Sequence, residues 1–132
     1  MKQDGQIDEA ALERLIPIFY DRVRADADIG PLFNAAVHDW QGHLEKLVAF
    51  WSSVMLTSGR YKGSPVAEHL KHRQAITPAM FDRWLAIWAD TTDELLVPAA
   101  AAALQTKAAR IAESLQLALF FRLDDPAGRR AA

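Results

Sequence analysis

His69 and His72 stand three residues apart in the stretch SPVAEHLKH, residues 64 to 72, of a chain with four histidines and no cysteine. Imidazole can ligate a metal, carry a proton near neutral pH or donate a hydrogen bond. Without cysteine there is no thiolate metal site and no thiol nucleophile. A bare zinc site is a poor fit, because zinc takes four protein ligands, or three and a water, and no carboxylate stands at a telling spacing from His38, His43, His69 or His72. The other residues of interest lie where a plain helical bundle would place leucine. Phe19 and Tyr20 end an apolar stripe, and Phe33 follows at a corner. His43 shares steps of three, four and seven with Leu47, Phe50, Trp51 and Val54. Trp84 and Trp88 are one turn apart, beside Phe81 and Leu85. Taken singly, each reads more simply as a core or surface residue. Taken together, they put histidines on two helices whose apolar faces could oppose each other across a flat aromatic slot.

The elements that must position these residues read as helices throughout. Leu12, Leu15, Ile16, Phe19 and Val23 recur at helical spacing behind a capping Asp8, and Pro17 predicts a division into a short helix and a second one starting near that proline. DIGPLF, residues 28 to 33, predicts a tight turn and a brief helical corner. Asp39 caps a long helix through about Thr57, ended by SGRYKG. Ser64-Pro65 and Thr77-Pro78 each pair a capping hydroxyl with proline at the first helical position, so two more helices start there, the first carrying both His69 and His72. Val97-Pro98 opens the last helix, to about Leu123, and residues 124 to 132 read as a loose tail. No stretch alternates like a strand. The fold class is all-α, with one domain over residues 1 to 132 and a core from about 8 to 123.

Composition narrows the function. Fifteen basic against seventeen acidic residues, with no long single-sign run, give little attraction to nucleic acid or anionic lipid. Hydrophobic residues at 51% and charged residues at 24% describe an ordinary folded domain with room for one core and one enclosed ligand. The polar start MKQDGQIDEA is unlike a signal sequence, and no apolar run would span a membrane, so a cytoplasmic protein is expected.

In order along the chain, FYDRVRADADIGPLF, DWQGHLEKLVAFWSSVML, GRYKGSPVAEHL and MFDRWLAIW resemble the successive signatures of truncated hemoglobins, specifically of the third group. The shared features are Phe-Tyr, Pro-Leu-Phe, a histidine seven residues before Phe-Trp, Gly-x-Pro-x-x-x-His, and a tryptophan fifteen residues beyond that histidine. The Gly-Gly pairs typical of the first and second groups are absent. The resemblance covers about Leu12 to Leu96, the last helix matching only as a helix. It implies a truncated globin fold, a two-over-two helical sandwich enclosing heme b. Within it His69 would be the proximal iron ligand, with His72, one turn on, its competitor. Tyr20, His43 and Trp84 would face the distal side, Phe33 would stack on the porphyrin, and Leu47 and Phe50 would line the distal wall. Tyr61, His72 and Arg73 would complete the cofactor contacts, with His72, or nearby Arg60, Lys62 or Arg73, facing the propionates.

The implied function is reversible binding of oxygen, carbon monoxide and nitric oxide. Redox turnover of nitric oxide or peroxide, and an unidentified reductase, stay open. Iron protoporphyrin is large, flat and mostly apolar, which suits a slot lined by Phe, Leu and Trp. A neutral imidazole holds iron from one side and leaves the other open. A polarised diatomic ligand there needs hydrogen-bond donors, and Tyr20, Trp84 and His43 can each supply one. From the residues alone the competing reading is a cofactor-free helical interaction or regulatory domain, in which the same aromatics are core.

Overall fold

The computed structural model describes residues 7 to 121. Six helices occupy them: α1 (Glu9–Ala25), α2 (Gly30–Ala36), α3 (Trp40–Leu56), α4 (Pro65–Leu70), α5 (Pro78–Leu95) and α6 (Pro98–Phe120). Among the described residues there is no strand, as expected of an all-α chain. The starts follow from local chemistry. Asp8 Oδ1 accepts from the Ala11 N–H at 2.8 Å, Asp39 Oδ1 from the Gly42 N–H at 3.1 Å and Ser64 Oγ from the Ala67 N–H at 3.2 Å, each satisfying a donor that the first helical turn leaves without a partner. Thr77 makes no such side-chain bond, so α5 relies on Pro78 alone. The tail at 124 to 132 and the expected end of the last helix at Leu123 lie outside the described residues.

One expectation is corrected. Pro17 does not divide the first helix, which runs unbroken through it. Proline forfeits a backbone bond to the residue four earlier, here Glu13, an exposed position where water can satisfy the carbonyl. Against that loss, Leu12, Leu15, Ile16, Phe19, Tyr20 and Val23 bury one continuous stripe on both sides of the proline. Burying each such side chain contributes roughly 1.5–3 kcal/mol, so the stripe outweighs the ~3 kcal/mol that an interior proline costs. Pro17→Ala is therefore expected to stabilise the fold by about 1–2 kcal/mol, a full proline penalty reduced by the greater freedom of the unfolded chain. Urea unfolding checks it, through a raised midpoint at unchanged slope.

Helix α1 packs against α2, α3 and α5, while α6 packs against α5 and α4. The pairs α1/α3 and α5/α6 form the two layers of a two-over-two sandwich, joined where α1 crosses α5. The core sits at that joint. Trp51 of α3 stacks on Trp88 of α5 with ring centroids 4.6 Å apart, and Phe19 meets Trp88 edge-on at 4.8 Å. The Trp88 indole N–H donates to the Leu104 carbonyl at 3.1 Å, so the buried ring leaves no polar group unpaired. Buried Ala100, Ala101, Ala108 and Ala112 let α6 lie close on its neighbours. Thr91 and Thr92, also buried, return their hydroxyls to the carbonyls of Ile87 and Trp88 within α5. By contrast, among the described residues no extensive packing joins α3 to α4, and α3 meets α5 through side chains, foremost the Trp51–Trp88 stack.

Candidate functional site

His69 lies in the last turn of α4, half-buried. Its Nδ1 is 2.7 Å from the Pro65 carbonyl oxygen, one turn earlier. A carbonyl only accepts, so Nδ1 carries a proton, and in the neutral ring Nε2 is the nitrogen with the lone pair. That is the arrangement a metal-ligating histidine needs, with ring orientation and tautomer fixed by the nitrogen that does not bind. The Ser64 cap and Pro65 at the first helical position hold the short helix that makes this bond possible. Phe81 of α5, buried, lies nearly parallel to the imidazole at 6.4 Å.

A second group gathers on α1, α2 and α3. Tyr20 is buried, with ring centroids of Phe33, Trp40 and His43 at 5.9, 6.1 and 6.4 Å. Burial pushes its phenol pKa up to about 12, while the Trp84 side chain, donating toward the phenol oxygen, acts the other way. The phenol is thus protonated at any ordinary pH and keeps an O–H to donate. His43 is half-buried, and its pKa is lowered first by that burial and then by Lys46, with Glu68 of α4 opposing. Its neutral ring can offer an N–H as well. Trp84 is half-buried, stacked on Trp88 at 5.8 Å and edge-on to Phe19 at 5.6 Å. Leu47, Phe50 and Val54 of α3 and Trp84 and Leu85 of α5 touch the core with one side and leave the other uncovered by protein.

The two histidines therefore belong to separate aromatic groups on helices that do not pack together, and the residues between them are apolar and half-covered. A flat apolar cofactor held by an imidazole nitrogen fits such a donor set. Comparison with known proteins decides the family. The group 3 truncated hemoglobin of Campylobacter jejuni is 33% identical over 89 residues, 64% of this chain and 69% of that protein. This chain belongs to the group III truncated hemoglobins. The crystal structure of the group III truncated hemoglobin from Campylobacter jejuni superposes with a TM-score of 0.81 at 29% identity, over 92% of this chain and 97% of the other. No family model matches the chain. Membership of a globin family implies a heme cofactor. No helix among the described residues is long and apolar enough to cross a membrane.

In this truncated hemoglobin seven of the site residues expected from the sequence fall into three places. Tyr20, Phe33 and His43 form one cluster; Leu47 and Phe50 of α3 and Trp84 of α5 are half-buried against the core; His69 stands apart on α4. Tyr61 sits in the connection between α3 and α4, edge-on to Phe50 at 5.3 Å, with its backbone N–H on Ser53 Oγ at 2.9 Å. Its hydroxyl leans over Gly63, where an added Cβ would come within 2.6 Å of the phenol oxygen. The same connection is tied down by Ser52, buried on α3, which bonds both Ser58 and Glu9, and by the Arg60–Glu9 ion pair.

His72 and Arg73 are exposed, and His72 is not on the short helix as expected. Helix α4 closes at Leu70, and the chain continues in turns, with the His72 N–H on the His69 carbonyl at 3.0 Å. Six residues of helix end before a further turn can form, which separates the two imidazoles. Trp51 and Trp88 also leave the expected slot for the core, since Trp51 is rotated by about 100° from Phe50 around the helix. The residue missed is Trp40, whose ring meets His43 at 5.5 Å and Tyr20 at 6.1 Å. Its signal was its place one turn before His43.

Proposed function

We propose that this truncated hemoglobin binds heme b through His69 Nε2 and takes up oxygen, carbon monoxide or nitric oxide on the side lined by Tyr20, His43 and Trp84. The observation that carries the reading is the Nδ1 bond to Pro65, which readies the other nitrogen of His69 for a metal. When bound, a heme supplies iron with one coordination position open to a diatomic ligand. The chain's own residues do the rest. Phe33, Leu47, Phe50 and Tyr61 give apolar surface and exclude water, while the exposed His72 and Arg73 stand in the turn beyond α4 where a propionate could be met. Tyr20 holds its proton through the whole working pH range and presents it as a hydrogen bond. Family membership favours this over the cofactor-free reading.

The test is optical. The purified protein should show a Soret band that moves on adding carbon monoxide, and its ferrous form should be mainly five-coordinate. His43 is the one histidine that could compete for the open position, and it is wedged edge-on against Tyr20 and Trp40. A ferrous spectrum dominated by a low-spin bis-histidine species that vanishes in His43→Ala would show the wedge to be ineffective. A protein that takes up no heme would end the proposal.

A further inference from the structure

Outside the residues already assigned, one arrangement reaches the distal group from the surface. The Arg24 guanidinium lies over the Trp40 ring, 4.5 Å from its centroid. The guanidinium is held there, since Arg24 Nε donates to Asn34 Oδ1 at 3.0 Å while Asn34 Nδ2 donates back to the Arg24 carbonyl at 3.2 Å. Among the described residues Arg24 makes no ion pair, so its charge is committed to the ring. The opposite end of the chain of contacts is His43, which the Trp40 ring meets edge-to-face at 86° and 5.5 Å. Among the described residues the His43 ring has no hydrogen bond, so packing against Trp40 and Tyr20 sets its orientation. Trp40 is itself the first residue of α3, placed by the Asp39 cap.

We propose that Arg24 and Trp40 are positioning residues that clamp His43 in its inward orientation beside Tyr20, and so control how readily a ligand enters the distal side. The proposal rests on the heme-binding reading for its consequence, ligand entry, while the clamp itself acts through protein contacts alone. A cation over a ring face resists sideways movement of the ring, because displacement loses the attraction of the charge for the π cloud. Trp40 kept in place leaves His43 no room to swing past it. With the clamp broken, His43 samples outward orientations and entry becomes faster.

Arg24→Gln is the decisive variant, since it changes an exposed side chain and keeps an amide for Asn34. Trp40→Leu is the stronger but more disruptive companion, and Arg24→Lys tests whether charge alone suffices. The first readout is the set of nuclear Overhauser contacts between the His43 and Tyr20 rings, taken on the protein as purified and again after saturation with carbon monoxide. The second is the carbon monoxide association rate. For Arg24→Gln the ring contacts should weaken and association should accelerate by about two- to fivefold, the scale of losing one exposed cation–π contact. Arg24→Lys should fall between that variant and the unaltered protein. Heme release should not change, because neither residue touches the proximal side. Unaltered ring contacts and an unaltered rate in Arg24→Gln overturn the proposal, whatever Trp40→Leu does. A protein without heme defeats the functional reading instead, and the ring contacts still report on the clamp.

Discussion

His69→Ala is expected to empty the protein of heme or leave it loosely held, while His72→Ala keeps it. The bond from Nδ1 to Pro65 presents a single free nitrogen on His69, whereas His72 sits exposed in the turn beyond α4. Losing a hydrogen bond that merely supports a ligating histidine weakens metal binding by roughly 10- to 100-fold, so losing the ligand itself should exceed that. Heme transfer to an acceptor apoglobin gives the rate, and the ferrous carbonyl spectrum gives the identity of the remaining ligand. Added imidazole should restore part of the spectrum in the His69→Ala protein by filling the space the ring leaves. His69 is half-buried on a six-residue helix, so its truncation removes little core packing, and circular dichroism reports any unfolding. Normal histidine-ligated spectra in the His69 variant with loss in the His72 variant would reverse the assignment.

The contrast between these two histidines shows what was legible in the sequence. Helix starts were readable because they are local: Asp8, Asp39 and Ser64 cap by reaching three residues ahead, and Pro65 and Val97-Pro98 fix the dihedral at the first turn. The end of α4 was not, since nothing after Leu70 marks it, neither a glycine nor a proline, and His72 was carried onto a helix that had already closed. Pro17 misled for the opposite reason. Its local signal is strong, and only the burial of α1 against α3 and α5, a tertiary fact, overrides it. The family was legible by type and order, in the motifs that carry Tyr20, His43, His69 and Trp84. The arrangement of those residues was not, because Trp40 reaches Tyr20 across twenty residues, and Arg24 reaches Trp40 across sixteen, through the packing of α1 on α3.

The second large effect concerns Tyr20. Tyr20→Phe should accelerate oxygen escape from the heme-loaded protein by about ten- to a hundredfold and carbon monoxide escape much less. Oxygen takes on more negative charge than carbon monoxide when held as a ligand, and so gains more from a donor. A hydrogen bond to a charged acceptor contributes roughly 1.5–3 kcal/mol, and about 1.4 kcal/mol corresponds to a factor of ten in rate if the bond is lost on the way out. Trp84 and His43 remain in the variant, but their effects overlap with that of Tyr20 and do not simply add. Trp84 has a part of its own, since its indole N–H would be a second donor to the bound gas. Trp84→Phe should therefore also raise the ratio of oxygen to carbon monoxide escape, with lost volume contributing to both rates. The pH dependence has a definite sign. With its pKa raised to about 12, the phenol stays protonated as pH rises through 10, where an exposed tyrosine would ionise, so the donor effect should persist until pH approaches 12. Stopped-flow release of both gases across that range, on the unaltered protein and Tyr20→Phe, measures the ratio directly. Equal acceleration of the two gases would mean that Tyr20 fills space rather than donates, and selective acceleration of oxygen would make reaction of the oxygen-loaded protein with nitric oxide the next measurement.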